Sequence, residues 1–205
     1  MEGVCDVDVP DTEPKFWARV RGCNLGTAIL TEMQACSPRY MRGTQHIARA
    51  GYDHFQIHLN LAGETHVQSG RQSVTFRQGD IGIIDTLQAC DTRVLQTSSA
   101  PTHSLAIFVP RTELAQLLPS PDSEHCAVIR RETPIARLLA DHMLSLTQRS
   151  GPSADLDARA GVRDLVALLA GGLQASADAV LPIREASRRA ALGALMRYIE
   201  HNEMS

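Results

Sequence analysis

His54 and His58 stand four residues apart in the stretch DHFQIHLNLA, with Glu64 and His66 shortly after and His103 far downstream. Imidazole and carboxylate are the usual nitrogen and oxygen donors to a transition metal. The spacing argues against a shared ion. On an extended strand His54 and His58 share a face but lie about 13 Å apart, too far for one ion without a bend. His66 and His103 remain as substitutes. The plainer reading is that these imidazoles line the polar face of a strand or make hydrogen bonds, so no metal and no cofactor is expected.

Catalytic chemistry has little else to stand on. There is no GxSxG, no catalytic cysteine signature and no Gly-rich phosphate loop. The five cysteines, Cys5, Cys23, Cys36, Cys90 and Cys126, are scattered and form no CxxC pair. They read as reduced, mostly buried thiols, not as a disulfide framework or zinc site. No catalytic residue is therefore expected. Recognition chemistry is better supplied. Arg42, Arg49 and Arg77 could fork onto a carboxylate, although a solvated surface arginine is the commoner fate. The few aromatics either pack a core or line an apolar small-molecule pocket. The candidate ligand-binding residues are Trp17, Arg42, Arg49, Phe55, Ile57 and Phe76.

The elements that would position these residues change character along the chain. Phe55, Ile57, Leu59 and Leu61 alternate with His54, Gln56, His58 and Asn60, the period of a half-buried strand over Asp53–Ala62. Turns at Gly63–Glu64, Ser69–Arg71 and Gln78–Asp80 separate further strands at Thr65–Gln68, Ser73–Arg77 and Ile81–Asp85. Arg93–Thr97 and His103–Val109 continue the series; Asn24–Gln34 and Gly43–Arg49 precede it. Short strands at this spacing argue for a sandwich or barrel. After Pro110 the pattern is helical. Arg111–Leu118 reads as a short helix. Thr133–Pro134 is a start signal, Thr at the N-cap and Pro at N1, and Ile135, Leu138, Leu139, His142, Met143 and Leu146 follow as one stripe. A second helix from about Ala154 carries Val162, Leu165, Val166, Leu169 and Leu173, and the short loop between the two favours an antiparallel hairpin. A third is expected over about Arg184–His201.

Composition bounds the partners. The chain has 205 residues, a net charge of -3 and 43% hydrophobic residues. That balance is ordinary for a globular protein and lacks the basic stripe of a stand-alone nucleic-acid-binding domain. No apolar run approaches the ~20 residues of a membrane span. The acidic start has no signal-peptide core, so no membrane partner and a cytoplasmic location are expected.

Four stretches in order carry a resemblance. They are DHFQIHLNLAGETHVQSGR (53–71), VTFRQGDIGIIDT (74–86), HSLAIFVPRTEL (103–114) and RRAALGALMRYIEHN (188–202). Together they resemble the AraC/XylS transcription regulators with a cupin-like sensor domain. The resemblance implies a mainly β plus α fold: a cupin-like double-stranded β-helix (jelly-roll barrel), an antiparallel helical hairpin and one further C-terminal helix. The expected divisions are a flexible arm at 1–15, the ligand-binding barrel at 16–120, a dimerisation hairpin at 121–178, and at 179–205 a linker with the first helix of a DNA-binding domain. The rest of that domain, with its recognition helices, is absent from this sequence, so DNA contact is expected only through it.

The resemblance also implies a small-molecule effector bound in the barrel and a bacterial homodimer, with Val162, Leu165, Val166, Leu169 and Leu173 at the interface. The alternative for that stripe is packing on the barrel of its own protomer. The rival function is a metal-dependent cupin enzyme, an oxygenase or isomerase with a helical tail. Such enzymes place paired histidines two apart and bring another near the second motif; Gly79–Asp85 contains none.

Overall fold

In the computed structural model, residues 4–8, 16–51, 53–97, 100–148 and 158–175 are described. The alternating stretch expected at 53–62 becomes β5, the middle of the larger sheet. The six-stranded sheet runs β11 (Val128–Ile129), β8 (Ile81–Asp85), β5 (His54–Ala62), β10 (Thr102–Pro110), β3 (Ile29–Ala35) and β2 (Ala18–Asn24). A second sheet has five strands: β1 (Asp6–Asp8), β4 (Arg39–Arg42), β9 (Cys90–Leu95), β6 (Glu64–Ser69) and β7 (Gln72–Phe76). Pairing within both sheets is antiparallel. The helices are α1 (Thr44–Ala50), α2 (Arg111–Ala115), α3 (Pro134–Thr147) and α4 (158–175). The result is the expected mainly β, cupin-like domain with helices.

Register decides which side chains share a face. Ile57 lies opposite Ile83 on one side and Ile107 on the other, and His58 opposite Gly82 and Ala106. Successive residues of a strand point to opposite faces, so the isoleucine row and the histidine row face opposite ways. The isoleucine row faces the helices. Phe55, Ile57 and Leu59 share one buried cluster with Leu139, Met143 and Leu146 of α3 and with Val162, Leu165 and Leu169 of α4.

This packing corrects the interface expected at Val162, Leu165, Val166, Leu169 and Leu173. All five are buried within the chain itself, Leu165 and Leu169 at 0% exposure. The sheet offers them a ready apolar face, so the stripe needs no second copy to leave water. On α3, the expected Thr133 N-cap accepts from the Ala136 N–H at 3.2 Å. Of its expected stripe, Leu139, Met143 and Leu146 are buried whereas Leu138 is 55% exposed.

Two further expectations change. The stretch expected as a strand at Gly43–Arg49 is helix α1. His46 Nδ1 accepts the Gly43 N–H at 3.0 Å, and Gly51 closes the helix in the left-handed region at φ 62°, where glycine is the natural residue. Within the arm expected to be flexible at 1–15, Asp6–Asp8 pair with Arg39–Met41 as β1. Residues 9–15 and the third helix expected over 184–201 lie outside the described residues.

Two loop devices hold the frame. Asp80 is buried; its carboxylate accepts the Arg77 and Arg131 N–H groups and the Arg130 side chain. Arg111, just after β10, bridges Asp53, Asp85 and Asp122, and its guanidinium lies 4.4 Å from the Phe55 ring centre. The Gly-Asp and Val-Pro-Arg stretches of the sequence are thus bracing points of the barrel.

Candidate ligand-binding cavity

Between the two sheets lies a cavity of about 200 Å³. For scale, an apolar cavity of roughly 150 Å³ takes up benzene. The larger sheet contributes Gln56 and His58 of β5, Ser104, Ala106 and Phe108 of β10, and Thr31 and Met33 of β3. The smaller sheet contributes Tyr40, Arg42, Cys90, Thr92 and Val94. None of the described lining residues is Asp or Glu. Several polar groups on the wall are engaged by the frame. Thr86 Oγ1 donates to the His54 carbonyl at 2.6 Å, Thr31 Oγ1 to the Ala106 carbonyl at 3.3 Å, and Tyr40 Oη to Met33 Sδ at 2.9 Å. Burial pushes the Tyr40 hydroxyl up to about 12 and raises the Cys5 and Cys90 thiols, so all three stay protonated near neutrality. The wall is mostly apolar, with a few fixed polar points.

The N-terminal segment closes one side. Val4 and Cys5 line the cavity just ahead of β1. Arg42 ties this segment to the larger sheet: its guanidinium donates to the Val4 carbonyl, and its Nε to the Thr86 carbonyl at 2.8 Å. His46 Nε2 lies 3.3 Å from Asp6 Oδ1.

His58 carries a buried polar network. Its Nε2 is 3.0 Å from Asn60 Oδ1 and 3.1 Å from Thr65 Oγ1. Thr65 Oγ1 donates to Asn60 Oδ1 at 2.9 Å, and Asn60 Nδ2 donates to the Phe76 carbonyl at 2.8 Å. Burial pulls the imidazole below its ordinary pKa, with the Asn60 hydrogen bond opposing more weakly. His58 is therefore neutral near pH 7.

The structure sorts the expected ligand residues. Arg42 lines the cavity. Phe55 and Ile57 do not: they belong to the opposite face of β5, packed on the helices. Phe76 lies beyond the wall in a small cluster with Val67 and Ile84, its ring 6.2 Å from that of His58. Its position depends on Gly82, where a Cβ would sit 2.4 Å from a ring atom of Phe76. Trp17 and Arg49 are exposed. The apolar face of β5, expected to meet the ligand, goes instead where a dry contact is available, under α3 and α4. The polar phase of the same alternation, with Gln56 and His58, lines the cavity and was the signal to follow. Among the described residues no three His, Cys, Asp or Glu side chains come together to hold a metal.

Two facing antiparallel sheets around a cavity, with helices on the outer face, define a cupin-like domain. The chain belongs to the AraC-binding-like domain family, whose model matches residues 4–174. No curated protein matches the sequence. Among solved structures, the AraC-like transcriptional activator CuxR is similar at 18% identity with a TM-score of 0.74, covering 84% of this chain and 62% of its own. Looser likenesses include apo ToxT K231A from Vibrio cholerae, 8% identical with a TM-score of 0.45, covering 79% of this chain and 55% of its own. Another is a cupin 2 conserved barrel domain protein from Salinispora arenicola, 11% identical with a TM-score of 0.32, covering 51% of this chain and 92% of its own. The AraC-type kinship expected from the four stretches is borne out by the family match. No helix among the described residues is long and apolar enough to cross a membrane.

Proposed function

We propose that this chain is the effector-sensing region of an AraC-type transcription regulator, which binds a small molecule without turning it over. The observation that carries the reading is the cavity between the sheets, mostly apolar with a few fixed polar groups, the usual make-up of a small-molecule site. The full regulator would be a cytoplasmic homodimer that reads DNA through a C-terminal helix-turn-helix domain. The effector would bias that domain by binding one arrangement of the protein more tightly than another. The apolar residues that α3 leaves to solvent, Leu138 and Leu144, are better placed to meet a second copy than the buried stripe of α4. The metal-dependent enzyme has no donor set among the described residues to support it.

A thermal-shift screen of small acids, alcohols, phenols and amines tests the reading. A ligand at 100 times its Kd adds about 2.7 kcal/mol of stability. Ala106→Leu, which puts bulk into the cavity, should abolish the shift while leaving the circular dichroism spectrum unchanged. A screen without hits, or a shift that Ala106→Leu leaves intact, would reject the cavity as the effector site.

A further inference from the structure

We infer that the effector presents a hydroxyl hydrogen to Nδ1 of His58, and is therefore a small, mostly apolar alcohol or phenol. This rests on the cavity being the effector site.

The chain of hydrogen bonds behind His58 determines where its proton sits. The Phe76 carbonyl can only accept, so the Asn60 group 2.8 Å from it is the amide NH₂. Asn60 Oδ1 therefore faces the other way, toward Thr65 Oγ1 and His58 Nε2. A carbonyl oxygen only accepts, so Nε2 must bring the hydrogen. The ring is neutral, because burial opposes its charge, and a neutral imidazole carries one N–H. Nδ1 is then a bare acceptor. Its one contact among those described is Gln56 Nε2 at 3.4 Å, long for a hydrogen bond. Gln56 and His58 both line the cavity, and with Nε2 taken up by Asn60 and Thr65 a ligand there would meet the ring at Nδ1.

The rest of the wall narrows the donor. A cationic amine would find no carboxylate among the described lining residues and would share the cavity with Arg42. Burying an ammonium without a counter-charge is costly. A hydroxyl supplies the donor without the charge. The volume of about 200 Å³ admits one ring or a short branched chain.

The test uses the whole chain labelled with ¹⁵N-histidine, with 4-methylphenol and its ether, 4-methylanisole, as probes. Without a probe, the His58 resonances should show a protonated Nε2 and a pyridine-like Nδ1. On adding 4-methylphenol the Nδ1 signal should move as it accepts a hydrogen bond, and the phenol should bind up to about tenfold more tightly than the ether. His58→Phe should erase that preference; if the variant does not fold, the wild-type tautomer and the phenol-to-ether ratio decide alone. A protonated Nδ1 in the free protein overturns the inference. Equal affinity for the two probes, with Nδ1 unmoved, also overturns it while leaving the cavity reading standing. Binding of neither probe removes the cavity reading and the inference together.

Discussion

A neutral imidazole buried beside a cavity makes stability depend on pH. Folding holds the His58 pKa below its ordinary value of 6.5 through burial. Below that value the unfolded chain binds a proton that the folded chain refuses, so stability is lost as the pH falls. One such proton contributes a slope of at most about 1.4 kcal/mol per pH unit. His54 and His125 are also lowered by burial and act in the same direction. Urea unfolding at pH 7, 6 and 5 should show the midpoint falling across the series. The fall should be shallower in His58→Gln, whose side chain does not titrate. Parallel profiles for the two proteins would show that His58 is not held neutral by the fold.

At the scale of elements, β5 serves two masters, and its two faces answer to different neighbours. Its odd-numbered face closes the core under α3 and α4; its even-numbered face forms cavity wall. The stripe on α4 is therefore structural. Leu169→Glu would place a carboxylate at a position with 0% exposure, and an unpaired buried charge costs several kcal/mol, a large part of a domain's net stability. The expected outcome is loss of the cooperative unfolding transition and of the native circular dichroism spectrum. Leu169→Ala should be milder, folded but weakened by about 2–5 kcal/mol. A Leu169→Glu protein that stays folded and merely changes its oligomeric state by light scattering would reverse this assignment and return the stripe to an interface.

For the molecule as a whole, charge sets the expectation for DNA. Phosphate contacts dominate nucleic-acid affinity and need clustered Lys and Arg. A net charge of -3 over 205 residues opposes this. In an anisotropy titration at physiological salt, the chain by itself should bind duplex DNA weakly and without sequence preference. Submicromolar, sequence-selective binding would place DNA recognition inside this chain and not in a separate domain of the regulator.

Much of this was legible in the residues. The alternation at 54–62, the Gly and Asp turns and the Thr133–Pro134 start are local signals, so the strands from β5 to β10, the helix start and the family could be read directly, whereas the strands ahead of β5 could not. The identity of the ligand-facing side could not. Period two states that β5 has an apolar and a polar face, but not which one meets the helices and which the cavity. That depends on α3 and α4, more than seventy residues downstream, offering the apolar face a dry partner. For the same reason the α4 stripe could be recognised as apolar, but not assigned to a core or an interface. The His58 tautomer is the most remote consequence. It needs Asn60, Thr65 and the Phe76 carbonyl in one place, and only the joining of β5, β6 and β7 across two sheets puts them there.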